Sequence, residues 1–470
     1  MFPAIAAAQA IPPDKVETVH DTVETIPDTV EAIEKPSDRS PAPAPAASVQ
    51  ADNVRIEAGG WARQRFEYFP MERPVAAGRN DFISRTDLLV RVRYARTRQF
   101  EVNASSQLTH GLFHGNIQGE TGTRGAFEPT VREAFFGLYG SQIDVRVGQQ
   151  RLAWGVTDFM SPNDVVNARD QRDPFLIEPE LRFIPTPMVR LDWYRDILTL
   201  QAVYSPWFVP DRFDIYGTNW AAIQPSSPPG FRNIAAGTLE RYDRSLFDPA
   251  QRLYQQTSLP RADFRYPSAG VQAAINGSGF DLHFYYHYGF DGPHVAVDPS
   301  NTTLSASYLR RHHVGMDAAT TLGPIVLRAE VAFQDHRSFF RSDLLSHKSP
   351  AGQAVGAIEW QTGDSAKVAL LEVFYQHLFE HSPVPLLAWK RDSYGAGLLV
   401  KWPLWGRLRT DSRILAGVQP LMAVARLGLE LDFDRWVVGA GWLLVTGSEP
   451  SFGWYYRNND EALAFVKWLF

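Results

Sequence analysis

The chain contains no cysteine at all. That excludes thiolate metal centres, disulfides and a cysteine nucleophile, and it suits a protein that crosses an oxidising compartment. Long apolar runs are missing too: no stretch reaches the roughly 18–20 uncharged apolar residues that a membrane helix needs. Charge of one sign is scarce. Forty-six Lys and Arg stand against 52 Asp and Glu, a net charge of -6 spread along the sequence, so no basic stripe points to nucleic acid. Neither G-x-S-x-G, nor a P-loop, nor H-E-x-x-H occurs.

Aromatic residues, by contrast, are abundant: 13% of the chain, with 13 Trp, although the mean hydropathy is only -0.24. A polar average, many aromatics and alternating apolar residues are what a transmembrane β-barrel requires. Its lumen half is polar and its interfaces carry aromatic girdles.

Two segments precede that pattern. "MFPAIAAAQA" (1–10) ends in Ala8-Gln9-Ala10, and we read it as the tail of a signal peptide whose start lies upstream. Residues 11–50 hold the units "VETVHDT", "VETIPDT" and "VEAIEKP", with Val16, Val19, Val23, Ile26, Val30 and Ile33 at heptad spacing. Pro27 interrupts that run. The leader is therefore either a short helix for a periplasmic protein partner or a flexible acidic spacer, followed by a Pro/Ala linker.

From residue 51 to 470 the period is two. "DLLVRVRY" opposes Leu88, Val90, Val92 and Tyr94 to Asp87, Arg91 and Arg93; "VLRAEVAF" opposes Leu327, Ala329, Val331 and Phe333 to Arg328 and Glu330. Short polar turns alternate with long connections near 114–129, 154–186, 209–266, 291–306, 338–350, 379–392 and 448–460. Short turns at one end and long loops at the other describe an all-β, transmembrane antiparallel barrel of about 18 strands, with 16 as the alternative. "LAFVKWLF" reads as its closing strand, with Trp468 and Phe470 as the signal for the barrel-assembly machinery. The expected location is the outer membrane of a Gram-negative bacterium, in its lipid, with the N-terminus in the periplasm.

Parity places Arg91, Arg93, Glu133, Arg146, Arg190, Asp192, Arg328, Glu330, Glu359, Glu372, Arg426 and Glu430 on the lumen face, with Asp87 and Asp144. Such residues line a pore, or their alternating signs pair into a network that stiffens the barrel. In the loop after residue 153 the sequence predicts a constriction folded into the lumen, made by Trp154, Gly155, Asn163, Asp164, Asn167 and Asp173. Trp154 is expected to anchor in lipid headgroups, and Gly155 to let the chain bend inward. The acidic residues there could ligate calcium, but they fit no EF-hand spacing and serve equally as turn formers.

The 209–266 segment carries seven arginines and six acids with aromatics at its start, and could bind a ligand or cap the barrel. His283 and His287 lie about 13 Å apart along one strand, too far for one zinc. Ser307 and His312 fall on opposite faces, which argues against a serine hydrolase. No metal, cofactor or catalytic residue is expected.

The stretch 145–175 resembles a family of proteobacterial outer-membrane barrels of unknown function. The matching residues are Gly148-Gln149-Gln150, Trp154-Gly155, Asn163-Asp164, Asn167 and Asp173-Pro174, with Gln149 where arginine is common. A looser similarity, in the glycine-x-glutamine strand end, is to alginate-export porins. The resemblance implies a pore or transport role. The expectation is thus a channel or transporter for a small or amphiphilic solute, gated by inward-folded loops. The alternative is a closed barrel acting as scaffold or receptor through its leader.

Overall fold

The computed structural model describes residues 47–51, 54–70, 79–96, 99–117, 120–172, 179–212, 219–220, 264–298, 303–341, 346–362, 367–386 and 388–470. The signal-peptide and heptad readings lie outside these residues.

Alternation is what selects the architecture. On the strand Val368–Leu378, Leu371, Val373 and Tyr375 are 49%, 53% and 44% exposed, whereas the intervening Glu372 is 0% exposed. Apolar side chains face out and a carboxylate faces in, the reverse of a soluble sandwich, so the outer surface is one that lipid would cover. Around the molecule the same exposed face carries Val90, Val92, Leu191, Phe284, Val331, Leu427 and Val438.

The strands are β1 (Ala47–Ala51), β2 (Val54–Tyr68), β3 (Arg79–Arg96), β4 (Phe100–Ile117), β5 (Glu120–Tyr139), β6 (Ile143–Gln150), β7 (Ala168–Arg169), β8 (Phe183–Ile184), β9 (Thr186–Arg195), β10 (Leu198–Ser205), β11 (Ser268–Gly277), β12 (Phe280–Asp298), β13 (Thr303–Leu322), β14 (Ile325–Phe340), β15 (Ser346–Gln361), β16 (Val368–Leu378), β17 (Asp392–Trp405), β18 (Leu408–Gln419), β19 (Met422–Phe433), β20 (Trp436–Gly447) and β21 (Glu461–Leu469). Two four-residue helices, α1 (Pro179–Arg182) and α2 (Phe452–Tyr455), lie in connections.

Eighteen strands close the barrel: β2–β6 and β9–β21, each antiparallel to its chain neighbours, with β21 returning to β2. The turn between β18 and β19 is Pro420-Leu421, which makes the eighteen-strand reading correct. β1 pairs with Val54–Ala58 on the same edge of β2 that β21 occupies higher up, and so continues the line of the closing strand.

Closure is an antiparallel ladder, Trp61–Tyr68 against Ala462–Leu469, that ends on one close contact. The Gly60 N–H donates to the Phe470 carbonyl at 2.8 Å, and the Phe470 N–H to the Gly60 carbonyl at 3.1 Å. A Cβ on Gly60 would lie 2.0 Å from the Leu89 carbonyl oxygen, so β2 can be held this tightly between its neighbours only without a side chain there. Trp468 faces outward and stacks on Trp436 at 5.9 Å. Trp360 stacks on Trp402 at 5.7 Å at the same, short-turn end, giving that end an aromatic girdle.

Three of the expected long loops are instead tall hairpins. β4 and β5 pair as far as Ile117 with Glu120, β12 and β13 as far as Asp298 with Thr303, and β14 and β15 as far as Phe340 with Ser346. Beyond the lipid band neither face needs to be apolar, so the period-two signal fades while backbone pairing continues.

Candidate functional site

The long connection between β6 and β9 turns into the barrel. Gly155 has φ +85°, a conformation that suits glycine, and there the chain swings inward. Trp154 is 1% exposed, so it is no headgroup anchor. Its Nε1 donates to Gln201 Oε1 at 2.8 Å, and its ring packs on Tyr285 at 5.3 Å. The correction has a physical cause: Gln150 already ends the strand, and the aromatic that follows belongs to the loop, not to the girdle.

From Trp154 the loop crosses the lumen to the far wall, where two glutamates receive it. Glu330 on β14 accepts from the backbone N–H groups of Val156, Thr157 (2.9 Å) and Asn163 (3.3 Å), and from Ser161 Oγ (3.3 Å). Glu372 on β16 accepts from the N–H groups of Asp158 (2.8 Å), Phe159 (3.2 Å) and Met160 (2.6 Å). Consecutive N–H groups wrapped around a carboxylate form an anion-holding nest. Hydrogen bonds of this kind contribute about 0.5–1.5 kcal/mol each. Asp158 adds an ion pair with Arg328 at 2.9 Å, and Arg328 also holds Glu359 at 2.6 Å.

The wall is shaped for this loop by missing side chains. A Cβ on Gly270 of β11 would lie 2.6 Å from the Trp154 ring; one on Gly315 of β13 would overlap Asn163 Oδ1; and one on Gly397 of β17 would lie 2.5 Å from the Phe159 ring. β17 stands nine strands from β6 in a barrel of eighteen, so the loop reaches the diametrically opposite wall. At the tip Phe159 and Met160 join an apolar block with Leu370, Phe374, Leu399 and Leu415. Such burial contributes about 1.5–3 kcal/mol for a Phe or Met side chain.

The neck of the loop is stapled by Asn167. Its Oδ1 accepts from the Leu152 N–H at 2.7 Å, and its Nδ2 donates to the Ile184 carbonyl and to Thr186 Oγ1, both at 3.1 Å. Asn163 meets His313 at 3.2 Å and the Met316 carbonyl at 3.2 Å. Asp164 lies 3.8 Å from Arg169, which also donates to its carbonyl at 2.7 Å. These side chains turn and staple the loop instead of converging on a common point. Asp173 lies outside the described residues.

Farther along, Asp170 is gripped by Arg172 at 2.6 Å, and Arg172 also reaches Glu128 on β5 at 2.8 Å. Burial is the largest influence on the Asp170 carboxyl and pushes it up, but the hydrogen bonds and charge of Arg172 outweigh it. The group is held below its ordinary 3.8. Residues 219–220 of the next long connection also dock inside: Asn219 exchanges two 3.0 Å bonds with the Asn80 backbone, and Trp220 packs on Tyr456 at 5.3 Å.

The remaining wall charges face the lumen and are largely engaged. Arg93 pairs with Glu101 at 2.8 Å and Glu57 at 3.5 Å, Arg190 with Asp192 at 2.7 Å, and Arg409 with Glu430 at 2.9 Å. Arg146 stands over Tyr139 at 5.4 Å. Glu133 accepts from the Arg151 N–H at 3.4 Å, and Arg91 and Arg426 sit on the inner face of β3 and β19.

Sequence reasoning missed Glu128 and Arg132. A register shift opposite Ser105/Ser106 changes the parity of β5 there, turning both inward. Arg132 then donates to the Phe183 carbonyl at 2.8 Å inside the loop. No alternation reveals such a shift.

Among solved structures, the Salmonella typhi OmpF complex with daunomycin is similar at 10% identity and a TM-score of 0.42, over 90% of this chain and all of that one. A triple mutant of Rhodopseudomonas blastica porin is similar at 14% identity and a TM-score of 0.35, over 88% of this chain and all of that one. No curated protein matches the chain. The profile described as "Protein of unknown function (DUF1302)" matches residues 130–470, most of the barrel and the whole of the lumen-crossing loop. The chain belongs to the DUF1302 family.

Proposed function

We propose that the protein is a gated channel in the outer membrane of a Gram-negative bacterium, passing a small or amphiphilic solute, and that residues 151–172 are its gate. The observation that carries this reading is the use of Glu330 and Glu372. Glu330 and Glu372 hold backbone N–H groups of the crossing loop, not side chains of the wall itself. A connection built only to link two strands needs neither a transverse path nor two receptors. Held by hydrogen bonds, an ion pair and apolar contacts rather than by a second covalent link, the segment would leave the lumen as a unit. The short turns would face the periplasm, with the N-terminus on that side.

The test is single-channel current across a planar bilayer. The purified chain is compared with the double variant Glu330→Gln and Glu372→Gln, which preserves shape but replaces both carboxyl groups by amides. The expected result is rare or small openings in the parent and openings at least several-fold more frequent in the variant. Silence in both, with folding verified by heat-dependent gel mobility, would remove the channel reading.

A further inference from the structure

Between the crossing loop and the wall of β11–β15 lies a cavity of about 160 Å³. Its charged lining is uneven. Asp291 accepts from Arg311 Nη1 at 2.8 Å and from the Ser338 N–H at 2.6 Å. Arg337 has no such partner. Its Nη1 donates to the neutral Gln376 at 3.2 Å, its guanidinium stands over Phe339 at 5.3 Å, and among the described residues it makes no ion pair. On the loop side, Asp211 takes the Arg169 N–H at 2.8 Å and Gln171 Nε2 at 3.1 Å. Asp291 and Asp211 are thus supplied with donors, while the Arg337 guanidinium has no ion pair among the described residues.

The Nε of Arg311, the Nε of Arg337 and the Nδ1 of His287 are buried in this lining without a hydrogen-bond partner. Orphaned polar atoms of this kind are uncommon in folded proteins, and an unpaired buried cation is costly. An acceptor-rich anion in the cavity would give the Arg337 guanidinium the charge partner it lacks. Beside the arginines runs an aromatic wall, in which Phe208 packs at 4.8 Å from Phe290 and 4.6 Å from Tyr308. In size the cavity resembles one of about 150 Å³ that accepts a single benzene ring.

We propose that this cavity binds a small aromatic carboxylate, with its anion against Arg337 and Arg311 and its ring against Phe208 and Phe290. As the cargo of the gate this ligand rests on the channel reading above; as a bound ligand it does not. The loop that closes the lumen would also form the floor of the cavity through Met160, Ser161 and Asp164, so occupancy and gate position would be coupled.

The probe is benzoate, titrated calorimetrically into the full chain in detergent, with benzamide, acetate and inorganic phosphate as comparisons. Benzoate is expected to bind roughly tenfold or more tightly than the others, because only it supplies both anion and ring. Arg337→Gln should lose roughly tenfold in benzoate affinity, and Arg337→Lys should retain most of it. Phe208→Ala should reduce benzoate to the level of acetate, and it carries the test if Arg337→Gln does not fold. No benzoate binding to the parent, an unchanged Arg337→Gln, or phosphate and acetate binding as well as benzoate would each overturn the site. Conductance without benzoate binding would overturn the site and leave the channel; benzoate binding to a barrel that never conducts would support the site and remove the channel.

Discussion

Gly397 shows how much can depend on the absence of a side chain. Phe159 occupies the space that any Cβ at that position would take. Gly397→Val should therefore displace the tip of the loop, at a cost of about 1–3 kcal/mol for overpacking, and raise open probability in the bilayer. The companion Phe159→Ala frees the space. The pair should accordingly be no less stable towards urea than Phe159→Ala alone; a further loss in the pair would show that Gly397 matters for something other than the contact. Neither partner was legible in the sequence. A glycine in a strand signals close approach of something, but nothing in "DSYGAGLLV" says that it is an aromatic ring from a loop more than two hundred residues earlier in the chain.

The loop itself is an element without regular structure, and its charges govern when it stays docked. The Asp170 carboxyl has a pKa below 3.8 while gripped by Arg172 and returns towards that value once the loop is in water. Its contribution to docking is therefore complete above 3.8 and fades as the pH falls through the lower docked-state value. The part of the pH dependence that Asp170 contributes should be a rise in conductance confined to pH below 3.8, and Asp170→Asn should abolish that acid-dependent rise. A rise already near neutrality would assign the dependence to another group. The inward course of the loop is marked in the sequence only by its residues: Gly155, Asn163 and Asn167 stand where a sharp inward turn and side-chain staples are needed. Its anchorage is not marked. Glu330 and Glu372 read as two more lumen charges, because alternation reports the face of a residue and not its partner.

For the whole molecule, the decisive event is closure of a long sheet on itself. Phe470 contributes two backbone hydrogen bonds to Gly60, and its ring packs on Trp468 at 5.0 Å. Removing Phe470 should cost about 1–3 kcal/mol, the worth of two hydrogen bonds and some packing. The loss should appear as a lower urea midpoint of the barrel refolded into lipid. An unchanged midpoint alongside poor assembly in cells would confine Phe470 to recognition by the assembly machinery.

By itself the sequence determined the fold class, most of the lipid-facing and lumen-facing sets, and a strand count of about 18 with 16 still open, because period two and turn chemistry are local properties of a chain. It also marked the connection that leaves the wall. Tertiary structure alone decided that the connection spans to the opposite wall, that two glutamates hold its backbone, that Trp154 is buried in the lumen, and that a shift in β5 turns Glu128 and Arg132 inward. Each of these joins residues far apart in the chain, and such contacts form only once the sheet has closed and set the distance between facing strands.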